Sequence, residues 1–192
     1  MITRKRAFEI IDSFSSAKVL VVGDIMVDHF IWGKVSRISP EAPVPVVDVQ
    51  ADNLMLGGSA NVINNIYAMG GKIYGTGVIG SDENSEIIFK EFKKRRIDTH
   101  GLIREAGRYT TLKTRIVAHG QQVVRFDRES RQPIREESIA KIIRFIKTVS
   151  KNINAIVVSD YGKGVIVKSL LDGIRKIIKG QNIVVCVDPK QS

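Results

Sequence analysis

Three short apolar runs, residues 19–22, 156–158 and 183–187, constrain this chain more than any other feature. Each is rich in β-branched residues, and each stops at a small or acidic residue: Gly23-Asp24, Ser159-Asp160 and Asp188-Pro189. Continuous apolar runs of this length suit strands buried on both faces, as in a parallel sheet covered by helices. Between the last two runs, apolar residues at 167, 170, 171, 174, 177 and 178 keep helical spacing, so residues 154–188 read as one strand–helix–strand crossover. Further helices are expected at 3–14, 59–69, 83–95 and 136–150, and a further strand at 73–79.

Two regions break the alternation. Residues 27–49 hold Ser39-Pro40-Glu41-Ala42-Pro43-Val44-Pro45 between strand-like stretches at 30–35 and 46–49. Residues 110–128 give two strand-like runs around His119-Gly120, a hairpin pattern. Prolines cannot donate to a sheet ladder, so Pro40, Pro43 and Pro45 exclude a central strand and point to an edge or a protruding arm. The simplest arrangement is one α/β body carrying a small β-sheet flap built from about 27–50 and 110–128.

Composition narrows the setting. A 192-residue chain that is 43 % hydrophobic fits a single globular domain. No apolar run approaches the roughly 18 residues needed to span a bilayer. Glu9 and Asp12 interrupt the only segment that could resemble a leader. Cys186, the single cysteine, lies within an apolar run and is expected to be a buried small hydrophobe. With no internal disulfide to form, the expectation is a cytoplasmic protein without membrane contact. The net charge of +10 raises nucleic acid as a partner, but its densest part, residues 90–96, reads as the basic end of an amphipathic helix. No nucleic-acid motif accompanies it, and none is expected to bind.

Ligands in open α/β sheets bind beyond the carboxyl ends of the strands, where Asp24, Asp160 and Asp188 fall. A carboxylate there can accept bonds from sugar hydroxyls; the plainer alternative is a cap or turn residue. Gly57-Gly58-Ser59-Ala60-Asn61 opens a helix with two residues that let a ligand approach the backbone, and Asn61 would lie on the first turn. Lys163, between Gly162 and Gly164, could meet a phosphate as a point charge or stand as an exposed loop lysine. Arg125 and Arg128 in the flap are further anion-binding candidates. The dinucleotide and P-loop fingerprints are absent, and His29, His100 and His119 show no metal-ligand spacing. No metal site and no catalytic residue is assigned.

Taken together, Val21-Val22-Gly23-Asp24 with Asp28, the Gly57-Gly58…Asn61 helix start, Gly77-Val78-Ile79-Gly80-Ser81-Asp82 and Val187-Asp188-Pro189 resemble the ribokinase-type carbohydrate kinases. Three further segments narrow the likeness to the D-glycero-β-D-manno-heptose 7-phosphate kinases: Ser36 to Val47, Gln121 to Asp127, and Ser159-Asp160-Tyr161-Gly162-Lys163-Gly164. The resemblance implies a ribokinase-like three-layer α/β/α sandwich with a small β-sheet lid. It also implies sugar contacts at Asp24, Asp28, Gly57, Gly58 and Asn61, and a sugar phosphate phosphorylated at C1 by ATP with Mg²⁺ towards ADP-heptose for lipopolysaccharide cores. Arg125, Asp160 and Lys163 complete the expected substrate site, and the lid is where two subunits would pair. The later asparagine/glutamate and Gly-Ala-Gly-Asp motifs of such kinases do not occur here. The expectation is therefore a chain lacking the C-terminal part of the fold, inactive alone, whose complement could be a separate chain. The other reading is a non-catalytic module that binds sugar phosphate or pairs with a kinase.

Overall fold

The computed structural model describes residues 2–190. Helix α1 (Arg4–Asp12) leads to strand β1 (Lys18–Gly23), two long strands β2 (Ile25–Ile38) and β3 (Pro45–Gly58), and helix α2 (Ser59–Ala68). Strand β4 (Lys72–Ile79), helix α3 (Glu83–Lys94) and strands β5 (Leu102–Arg104), β6 (Thr111–Ala118) and β7 (Gln121–Arg128) follow. Helix α4 (Glu136–Val149), strand β8 (Ala155–Ser159), helix α5 (Lys168–Ile178) and strand β9 (Val184–Asp188) end the sequence of elements.

The strands form two sheets. The first is parallel, in the order β5-β4-β1-β8-β9. Alternation along β1 sends Leu20 and Val22 to one face, where they meet Ile142 and Ile146 of α4 and Leu170 and Ile174 of α5. Val21 points to the other face and joins Ile63 of α2 and Ile88 and Phe92 of α3. Helices thus cover both faces, giving the three-layer sandwich that the continuous apolar runs demand.

The second sheet, in the order β3-β2-β6-β7, joins two antiparallel hairpins through a parallel β2–β6 pairing. Its strands run further than the sequence reading drew them: β2 and β3 have 14 residues each. Pro40 and Pro43 lie in the turn between them, and Pro45 opens the edge strand β3, where a missing N–H costs no ladder bond. The sheet joins the body at Asp24, whose carbonyl accepts from the Ser59 N–H at 3.0 Å as β3 returns.

One expectation is corrected here. Cys186 is exposed, not buried. Among the described residues strand β9 pairs with β8 alone, and all five of its residues are exposed.

Candidate functional site

Period-two alternation puts Met26, Asp28, Phe30 and Trp32 on one face of β2. The pairings extend that face sideways: Asp28 opposes Lys113, which opposes Asp127, and Phe30 opposes Arg115, which opposes Arg125. Arg115 ion-pairs with Asp28 at 2.5 Å and lies 5.1 Å from the centre of the Phe30 ring. Arg125 reaches Asp127 at 3.1 Å. Lys113 Nζ lies 5.8 Å from the centre of the Tyr161 ring, which brings the loop after β8 against this face.

Below it is the start of α2. Gly58 has φ +53°, a conformation that favours glycine, and a Cβ there would press on the Asp24 carbonyl oxygen and on Met26. A Cβ on Gly57 would strike the Asp28 carboxylate, so the missing side chain is what lets Asp28 lie against the backbone. Asn61 follows on the first turn of α2, exposed.

Asp24 and Lys163 do something other than what was expected of them. Asp24 is only 1 % exposed and points inward. Its Oδ2 accepts from the N–H groups of Tyr161 at 2.8 Å and Lys163 at 3.1 Å, and its Oδ1 from Val165 at 3.2 Å. Burial pushes its pKa up, against the downward pull of those three donors. The carboxylate therefore ties the 160–165 loop to the end of β1 and offers little to a ligand.

Lys163 is buried as well, with Nζ 2.6 Å from Glu129. Burial alone would raise the Glu129 pKa, but the bonds from Lys163 and Arg131 outweigh it and the net shift is down. The lysine expected on an exposed loop is thus held in an ion pair with Glu129. Asp160 spends Oδ1 on the Gly162 N–H at 2.8 Å, a turn role. Asp188 is exposed, and its carbonyl accepts from the Asp160 N–H at 3.0 Å. Arg108 completes the support from beneath, donating to the carbonyls of Gln132 and Lys163 at 2.7 and 2.8 Å.

The sequence reading missed Lys113 and Arg115. Their signal was in Thr111-Leu112-Lys113-Thr114-Arg115-Ile116, where two cations two residues apart in a strand must share a face. Lys113 is set apart from its neighbours: among the described residues no carboxylate lies within ion-pair distance of it. Its pKa is lowered, first by burial and then by the charge of Lys163. An anion placed there would relieve both effects.

Among the described residues, no helix is long and apolar enough to cross a membrane. Among the same residues, no group of three or more His, Cys, Asp or Glu side chains is placed to hold a metal ion.

The model of the pfkB family carbohydrate kinases matches residues 16–191. The bifunctional protein HldE of Desulfatibacillum aliphaticivorans is 45 % identical over 177 residues, covering 92 % of this chain and 36 % of that protein. The bifunctional protein HldE of Trichlorobacter lovleyi is 43 % identical over 189 residues, covering 98 % and 38 %. The chain thus spans little more than a third of the length of these relatives. Among solved structures, phosphofructokinase-2 from Escherichia coli in complex with substrates and products superimposes with a TM-score of 0.66 at 18 % identity, covering 91 % of this chain and 54 % of that one. At that identity the likeness shows the fold.

Proposed function

We propose, from the premise that this chain belongs to the pfkB family of carbohydrate kinases, that it is the sugar-recognising portion of a heptose 7-phosphate kinase. The observation that carries the reading is the face of the second sheet, where Asp28, Lys113, Arg115 and Arg125 stand together above the glycine-rich start of α2. A carboxylate and Asn61 suit sugar hydroxyls, while unspent cationic charge suits a phosphate. The similarity to two HldE proteins over nearly the whole chain supports a heptose phosphate as the substrate.

The family implies ATP and Mg²⁺. Among the described residues no group of three or more His, Cys, Asp or Glu side chains is placed to hold the ion. What its own residues do is bind and orient. Asp28 is held by Arg115, the loop carrying Tyr161 is fixed by Asp24, and Lys113 waits on the inner face for an anion. The greater length of the HldE relatives supports a reading in which these 192 residues bind the sugar without transferring a phosphate on their own. The exposed strand β9 supports pairing with a complementary polypeptide, and the exposed Leu54, Val124 and Phe126 of the second sheet support pairing of lids.

Calorimetry of the 192-residue chain tests the reading. D-glycero-β-D-manno-heptose 7-phosphate should give saturable heat, the unphosphorylated sugar little, and Lys113→Ala should weaken binding about tenfold, as loss of one charge-assisted contact does. Absence of heat with the phosphorylated sugar would sink the proposal, and C1 phosphorylation by this chain with ATP and Mg²⁺ would sink its inactivity.

A further inference from the structure

Phe30 and Trp32 continue the Asp28 face outward along β2, and the sugar contacts discussed so far use neither. Their rings stack with centroids 6.0 Å apart and planes 16° from parallel, yet Trp32 remains 42 % exposed. A groove of about 400 Å³ runs beside them, lined by Phe30, Trp32, Asn53, Leu54 and Met55. Two large rings side by side on an open sheet face call for an occupant.

Two observations say which occupant. Arg115 connects the rings to the polar site, pairing with Asp28 while its guanidinium sits over Phe30, so the aromatic and carboxylate positions form one continuous surface. Asn53 stands directly opposite Phe30 in the β2–β3 register, placing an amide donor and acceptor at the rim of the groove. The surface is therefore an apolar floor with polar edges. That pattern matches a sugar, whose C–H faces are apolar and whose hydroxyls point outward around its perimeter. A protein–protein contact would leave the Arg115 guanidinium to be desolvated against apolar groups.

We infer that Phe30 and Trp32 form a stacking platform for the carbon skeleton of the sugar phosphate, with Asp28 and Asn53 taking hydroxyls at its margins. The platform rests on the proposed sugar-phosphate site and extends it. It makes Trp32 a specificity residue: a longer carbon chain covers both rings, and a shorter one covers Phe30 alone.

Trp32 is the only tryptophan in the chain, so its emission reports this one position. Titration with D-glycero-β-D-manno-heptose 7-phosphate should change that emission with the same midpoint as the calorimetric heat. Trp32→Leu, which keeps apolar bulk without a ring, should bind about tenfold more weakly, and Trp32→Phe should stay within about threefold of the parent. Circular dichroism checks that each variant is folded. Intact binding heat in the parent with unchanged affinity in Trp32→Leu would overturn the platform and leave the sugar-phosphate reading standing. No heat in the parent would remove both. An emission shift that depends on protein concentration without sugar, and disappears with the dimer in Trp32→Leu, would assign the rings to a second copy of the chain and overturn the inference.

Discussion

Lys113 shows how one residue's surroundings set its chemistry. Burial and the neighbouring Lys163 charge both disfavour its protonated form, so its pKa lies below the ordinary lysine range. The sign follows from linkage: a lysine with a lowered folded pKa costs the fold stability while charged, and a bound anion offsets that cost. A sugar phosphate is fully ionised well above its second pKa of about 6, so the ligand's own charge stays constant through the alkaline range. Affinity for the heptose phosphate should fall as pH rises through the lowered lysine pKa, and Lys113→Arg should flatten the profile. Calorimetry between pH 7 and 10 checks this, and a parent profile as flat as the variant's would exclude Lys113. From the sequence, Lys163 stood out between two glycines and Lys113 did not. Only the fold shows Lys163 ion-paired with Glu129, while among the described residues no carboxylate comes within ion-pair distance of Lys113.

Elements were the most legible scale, because periodicity is local. Helices α2, α3, α4 and α5 end within a residue or so of where the 3.6 spacing puts them. Strand β5 was invisible because three residues hold no period. The start of α4 at Glu136 was legible too, although the group that caps it was not. Its N-cap, Arg135, makes no side-chain capping bond. Glu105, from the turn after β5, supplies the cap instead, with Oε2 accepting from the Arg135 N–H at 3.0 Å and the Ser138 hydroxyl at 2.6 Å. A capping group some 30 residues away leaves no local signature. Glu105→Ala should lower stability by about 1–2 kcal/mol, as loss of a buried cap does, with a Tm drop of several degrees by calorimetry. An unchanged Tm would show that water replaces the carboxylate at no cost.

At the scale of the sheet, β5 and β9 are the two edge strands, and all of β9 is exposed. Val184 and Val187 are 61 % and 60 % exposed, and β9 carries no charge before Asp188 to discourage a passing strand. Val185→Lys places a charge on that edge without altering the β8–β9 pairing, and should reduce concentration-dependent light scattering of the chain at 37 °C. Equal scattering in parent and variant would locate the association elsewhere, with the apolar residues of the second sheet next in line. The three-layer architecture was readable from the apolar runs. The bare edge was readable only as an expectation, since Cys186 and its neighbours have the composition of an interior strand.

The buried carboxylate of Asp24 also fixes an order of events. Its three partners lie 137, 139 and 141 residues further along the chain. Strand β1 likewise waits for β8, its neighbour in the sheet, although β4 is available much earlier. On a ribosome releasing the chain from its first residue, the second sheet and the α2 start are present long before Val165 emerges. Until then Asp24 has no donors and must stay hydrated, with the root of the flap open around it. The end of β1 is therefore tied to the 160–165 loop only after the second sheet and the α2 start have been made.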